Sequence, residues 1–209
     1  MDVATIKSWM ADIDEQHIVL GYGSLMNTDS RQRFSAIPHD GIPATVKGFA
    51  RAWLTRSEAE KQTYVGAVPD SNAQLNAQLL PSKMDPGLAE RERDYQFVSV
   101  STADLELDLT EAASTLLFPW LERKSLWICE TLLQQPADPD FPVSQTYIDT
   151  CMAGCIEHGG EDEAVKFIKT TSLWEHPRSN DRHDPVYPRA GRVPKSVCAR
   201  IDALMEAYL

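Results

Sequence analysis

Three short groups of residues place reactive or ligand-binding side chains beside residues that can aim them. The first is Tyr22-Gly23-Ser24-Leu25, which closes the apolar run Ile18-Val19-Leu20-Gly21 and precedes the turn and helix initiators Asn27, Thr28 and Asp29. Glycine at 23 permits a sharp bend where a strand ends. Successive amide N–H groups then point one way and form a concave donor array suited to a carboxylate or a polarised carbonyl oxygen, with the Ser24 hydroxyl beside it. An ordinary strand-to-helix turn accounts for the same pattern. The second group is Glu92 with Tyr95, inside the charged run Glu90-Arg91-Glu92-Arg93-Asp94-Tyr95. Charge runs are normally solvated. A glutamate at a helix-to-strand junction can instead point into the mouth of a curled sheet, where burial raises its pKa toward the range a general acid/base needs. The third is Tyr147, in Ser144-Gln145-Thr146-Tyr147 at a helix start. Its ring could close a pocket and its hydroxyl bind a polar ligand, or it could simply pack on a sheet.

The elements that must hold these groups read as follows. Ile6, Trp9, Met10 and Ile13 recur at helical spacing and make one apolar stripe. His17 to Gly21 is a buried strand by its apolar run. Strand-like segments dominate residues 44–132: 44–55, 63–68, 75–80, 95–100 and 126–132 are rich in β-branched, aromatic and aliphatic residues. A short helical piece over 86–93 interrupts them. Ser144 is placed to cap a helix ending near the Gly159-Gly160 pair, a second helix covers 162–169, and the last helix carries Val197, Ile201, Leu204, Met205 and Tyr208 on one face. Many short strands in one region imply an α+β fold: a small curled antiparallel β-barrel with flanking helices, plus a C-terminal helical extension. Residues 1–168 form the main domain, and 169–209 are a polar loop and helix packed on it.

The 209 residues carry 20 Lys plus Arg against 31 Asp plus Glu, a net charge of −11 that repels phosphate backbones and argues against nucleic-acid binding. No apolar run approaches a membrane span, and the first ten residues do not read as a secretory signal. Cys129, Cys151, Cys155 and Cys198 are scattered in a chain that needs no staples, so they are expected to be reduced thiols in a cytoplasm. Cys151 and Cys155 share a helical face, but only His158 lies near enough to complete a metal site, so buried structural cysteines are expected and no metal or cofactor is implied.

The three groups, in this order, resemble the γ-glutamylcyclotransferase-like family. That family has a YGSL-type loop after its first strand, a catalytic glutamate in an E-x-x-Y segment before a later strand, and a tyrosine in a P-S-x-x-Y helix. Here these are Tyr22-Gly23-Ser24-Leu25, Glu92-Arg93-Asp94-Tyr95 and Pro142-Val143-Ser144-Gln145-Thr146-Tyr147, the last with one residue inserted. Gly48-Phe49-Ala50-Arg51 resembles the family's G-x-x-R strand, and Ala153 to Gly159 its small-residue helix. Leu79-Leu80-Pro81 departs from the usual glycine-containing strand, and the likeness covers about residues 17–160. The resemblance implies release of 5-oxoproline from a small γ-glutamyl amine or γ-glutamyl amino acid. In it Glu92 is the acid/base, and Tyr22, Gly23, Ser24, Leu25 and Tyr147 bind substrate without a cofactor. A non-catalytic module that binds a carboxylate-bearing metabolite or a partner chain is the alternative from another class.

The C-terminal stretch lies outside the resemblance. Arg178, Arg182 and Arg189 concentrate positive charge there and could contact a substrate carboxylate as a lid. Equally, they could anchor the last helix through ion pairs with Asp181 and Asp184.

Overall fold

The computed structural model describes residues 1–84 and 86–209. In chain order the elements are α1 (Val3–Ala11), β1 (His17–Gly21), α2 (Thr28–Ser35), β2 (Ile42–Ser57), β3 (Gln62–Ser82) and α3 (Pro86–Arg91). They continue as β4 (Tyr95–Ser99), β5 (Leu105–Glu106), α4 (Glu111–Leu121), β6 (Ser125–Thr131), β7 (Val143–Ser144), α5 (Gln145–Lys169), β8 (Thr171–Ser172), β9 (Arg178–Ser179) and α6 (Lys195–Tyr208).

The expected strand segments 63–68 and 75–80 are two halves of one long strand, β3, which pairs antiparallel with β2 along almost its whole length. Gly48 relieves this hairpin at a register shift, with a φ of 84° that side-chain-bearing residues rarely adopt. The sheet runs β4-β6-β1-β3-β2-β5, with β8 on β2, and curls because β3 also meets β6. It is mixed rather than antiparallel as expected: β1 and β6 run parallel, as do β2 and β8. The α4 helix leads the chain into β6, the kind of crossover that parallel pairing requires. That helix was not anticipated, although Ala113, Leu117 and Leu121 are fully buried at spacings of four and Thr110 caps its first turn. Pro119 inside it masks the pattern.

The first and last helices form where expected, with local differences. In α1, Asp2 caps the helix and Ile6 is wholly buried, while Trp9 meets Trp120 of α4 edge-on at 5.5 Å. In α6, Ile201 is buried and Val197, Leu204 and Met205 pack on the core, but Tyr208 is exposed. Helix α5 is two helices joined at a kink, and the break falls at the expected glycine pair, where Gly160 has a non-helical φ of 71°. Ser144 occupies the cap position of α5 without capping it. Its hydroxyl donates to Gln62 Oε1 at 2.6 Å, and Asp181 instead accepts from the Thr146 amide at 2.8 Å.

Helix α5 lies against the segment that follows β1. A Cβ at Gly154 would stand 2.4 Å from both Asn27 N and the Met26 carbonyl carbon, which are backbone atoms that cannot rotate aside. Gly154→Ala is therefore expected to destabilise the protein by about 1–3 kcal/mol through overpacking. An unchanged urea midpoint for that variant would show that the helix and the loop segment can separate freely.

Candidate active site

The site begins where β1 ends. Its neighbours β3 and β6 continue past Gly21 and close behind it, so that Ala67 faces Glu130 directly. The chain is thereby expelled from the sheet at Tyr22. The Tyr22 hydroxyl replaces the missing strand: it accepts from the Ala67 amide at 3.1 Å and donates to the Cys129 carbonyl at 2.5 Å. This position at the carboxyl ends of two parallel strands is where sheets of parallel strands characteristically leave a crevice.

Residues Ser24–Met26 make a 3-10 turn in which Met26 N donates to Gly23 O at 3.0 Å. Gly23 has a φ of −128°, so it is the space and not the backbone angle that calls for glycine. A Cβ there would meet the Tyr147 hydroxyl and Val65 Cγ2, each at 3.0 Å. Beneath the loop lies Arg51 on β2, only 1% exposed. Its guanidinium donates to Tyr22 O at 2.9 Å, to Asn76 O and Oδ1 at 3.0 and 2.7 Å, and to Thr171 Oγ1, Thr170 Oγ1 and Phe167 O. It also stacks on the Phe167 ring at 4.0 Å. Burial lowers its pKa to about 10, which leaves it charged at neutral pH. Arg51 thus ties the loop to β3 and to the end of α5.

A cleft of about 270 Å³ opens above this loop. Tyr22, Gly23, Ser24 and Leu25 line it from β1, Glu92 and Tyr95 from the α3-to-β4 junction, and Tyr147 from the first turn of α5. The three groups singled out in the sequence, 125 residues apart from Tyr22 to Tyr147, therefore meet at one place. Glu92 stands at a helix-to-strand junction: its amide donates to Leu88 O, and its carbonyl accepts from Tyr95 N, both at 3.0 Å. Its charge is felt by the phenols of Tyr22 and Tyr95, which line the same cleft. Burial holds Tyr22, Tyr95 and Tyr147 well above the usual tyrosine pKa, which keeps them neutral. Tyr22 and Tyr95 spend their hydroxyls on the sheet, Tyr95 donating to Val65 O at 2.7 Å. The Tyr147 hydroxyl has no hydrogen-bond partner among the described residues and lies over Gly23.

Among the further cleft residues that were not anticipated are Glu60, Tyr64 and Tyr187. Tyr187 lies in the C-terminal segment, is 3% exposed, and donates to Ser24 Oγ at 2.7 Å. Its ring meets Tyr64 and Tyr147 edge-on at 5.6 and 4.8 Å, and those two meet at 4.7 Å. A buried-type aromatic in an otherwise polar, proline-rich run was the available sign. Glu60, in the turn between β2 and β3, accepts from both terminal nitrogens of Arg189 at 2.7 and 3.1 Å and from the Tyr64 hydroxyl. Burial pushes the Glu60 carboxyl up, but these donors more than offset it and leave its pKa below the usual value.

Of the arginines expected over the site, Arg189 alone borders the cleft, and it does so already paired. Arg182 is a correction. Its guanidinium is taken by Asp149 at 2.7 Å twice and by Asp202 at 2.7 and 2.8 Å, so it fastens the segment to α5 and α6. These are not the nearby Asp181 and Asp184 that the sequence offered. Arg178 is also corrected: it sits exposed on β9, away from the cleft. The cysteines are free thiols, with Cys129, Cys151 and Cys155 buried. Among the described residues no three His, Cys, Asp or Glu side chains converge as a metal-ligand set, and no helix is long and apolar enough to cross a membrane.

No protein-family model matches the chain, and no curated protein does. Solved structures do. YkqA from Bacillus subtilis superposes with a TM-score of 0.54 at 14% identity over 84% of this chain, which spans only 60% of that longer chain. A gamma-glutamyl cyclotransferase superposes equally well, with a TM-score of 0.54 at 13% identity over 90% of this chain and 98% of that one. An uncharacterized protein from Homo sapiens follows at 0.53 and 14% identity, covering 88% of this chain and 97% of the other. The curled half-barrel with its flanking helices, ending β1 short so that a loop and a cleft form over it, is thus the γ-glutamyl cyclotransferase-like fold.

Proposed function

We propose that the protein releases 5-oxoproline from a γ-glutamyl amine or γ-glutamyl amino acid. The observation that carries this reading is the convergence of Glu92 and the Tyr22–Leu25 loop on one 270 Å³ cleft, large enough for a glutamyl group and part of its amine. In this reaction the substrate's own α-amine attacks its γ-carbonyl carbon. A C–N bond closes the five-membered lactam and the original amide C–N bond breaks. Holding the two ends folded supplies the proximity that an intermolecular attack lacks. Glu92 takes the proton from the attacking nitrogen and returns it to the leaving nitrogen. The amides of Gly23, Ser24 and Leu25 hold the glutamyl end, and the Tyr147 hydroxyl covers it as a neutral donor. Tyr22 contributes its backbone and not its hydroxyl, which is committed to Cys129 and Ala67.

The test is mass-spectrometric detection of 5-oxoproline from purified protein given a mixed panel of γ-glutamyl compounds. Release is expected from at least one member, and its amine product names the substrate. A folded protein that leaves the whole panel intact would sink the enzymatic reading, and binding measurements on the same panel would then examine the non-catalytic alternative.

A further inference from the structure

The C-terminal segment delivers one phenol to the loop, and it does so from a fixed frame. Asp181 accepts from the Thr146 amide at 2.8 Å and from the Val186 amide at 2.9 Å, which pins the residue before Tyr187 to the first turn of α5. Gln62 holds the other side of Val186, its side-chain amide donating to the Val186 carbonyl at 3.0 Å. Beyond Tyr187, the Arg189 carbonyl accepts from Ser30 Oγ at 2.7 Å, and the Gly191 amide donates to Thr150 Oγ1 at 3.0 Å. The backbone that carries Tyr187 is therefore clamped on both sides.

From this frame the buried Tyr187 side chain reaches two groups that line the cleft. Its hydroxyl donates to Ser24 Oγ at 2.7 Å, and its ring lies edge-on to Tyr147 at 4.8 Å. A serine hydroxyl has one proton to give and lone pairs to receive. Having accepted the Tyr187 proton, Ser24 keeps its own proton as a donor, and its side chain is held in one of three staggered rotamers. Ser24 is also the first residue of the 3-10 turn, so the backbone from which its hydroxyl projects is fixed as well.

Resting on the reaction proposed above, we propose that Tyr187 is a positioning residue: it fixes the direction in which the Ser24 hydroxyl donates, so that this hydroxyl joins the loop amides in holding the glutamyl end. Tyr187 acts through Ser24, and the C-terminal segment is the part of the chain that sets the geometry. The hydroxyl and the ring have separable tasks. The ring braces Tyr147 and Tyr64 by packing, which survives loss of the hydroxyl. The hydrogen bond to Ser24 does not.

The probe is 5-oxoproline itself, which carries the cyclised glutamyl end without any amine half. Its dissociation constant is measured by ligand-observed NMR titration for wild type, Tyr187→Phe, Ser24→Ala and the double variant. Phenylalanine keeps the ring and deletes only the donor. Each single variant is expected to weaken binding about three- to tenfold, through a freed rotamer and a lost hydrogen bond. The double variant should stay within about twofold of Ser24→Ala, because Tyr187 then has nothing to act through. A purely structural tyrosine would lower the thermal midpoint in both backgrounds and leave the dissociation constant where it was. Unchanged affinity in Tyr187→Phe overturns the proposal, as do losses that multiply in the double variant. Wild type that fails to bind 5-oxoproline overturns it too. The reaction is judged separately, on the γ-glutamyl panel: a protein that shows the expected binding pattern but leaves the panel intact loses the reaction and keeps Tyr187 as the positioning residue of a binding site.

Discussion

Glu92→Gln abolishes 5-oxoproline release, by an expected factor of about 10²–10⁴, while substrate affinity measured by calorimetry stays within a few-fold of wild type. The amide has the shape of the carboxylate but cannot take a proton from the attacking ammonium. In the proposed reaction the Tyr22–Leu25 loop and Tyr147 would carry binding, so the loss is expected to fall on kcat and not on KM. Glu92 is half-exposed, and the backbone hydrogen bonds of its turn, to Leu88 and Tyr95, survive the substitution whatever its side chain contacts. An unchanged thermal midpoint is expected with the lost activity. A fully active Glu92→Gln enzyme would remove the acid/base from this residue, and equal losses in affinity and turnover would recast it as a binding group.

Local pattern placed Glu92 and the Tyr22–Leu25 loop at the ends of elements, while the roles proposed for them came from the ordered resemblance of the three groups to a known family. An apolar run stopping at glycine, and a helical piece changing to a strand, are visible within ten residues. The cleft wall that holds Glu60, Tyr187 and Arg189 was not visible for the opposite reason. Glu60 and Arg189 are 129 positions apart, and Tyr187 and Ser24 are 163 apart, so only the folded chain pairs them. Read alone, Glu60 is one more charge in a surface turn. Arg182 shows the same limit: nearby Asp181 and Asp184 were the local choices, but Asp181 is occupied by Thr146 and Val186, and the arginine reaches Asp149 and Asp202 instead. The sheet's mixed pairing was hidden likewise. Strand patterns give burial but not direction, and direction here depends on α4, whose own pattern is broken by Pro119.

The Tyr22 loop is only as well placed as its anchor, and Arg51→Met isolates that dependence. Methionine fills similar length but donates nothing, so it strips donors from Tyr22 O, Asn76 O and Oδ1, Phe167 O and two threonine hydroxyls. Each buried acceptor left without a partner costs about 1–3 kcal/mol. Removing the guanidinium also recovers its own burial penalty, which is the effect that lowers its pKa. The net loss expected is about 3 kcal/mol, a large part of the 5–15 kcal/mol that holds a typical domain folded. Urea unfolding reads this loss as a lower midpoint at unchanged slope. Arg51→Lys keeps the charge but offers fewer donors in a different geometry, so its midpoint should fall between the two. Activity separates anchoring from bulk stability: at low temperature, where both variants remain folded, each should still release 5-oxoproline more slowly than wild type because the Tyr22 carbonyl is no longer pinned. If Arg51→Met were as stable as wild type and equally active, the guanidinium would be a buried passenger, and the loop would owe its position to the Tyr22 hydroxyl and α5 alone.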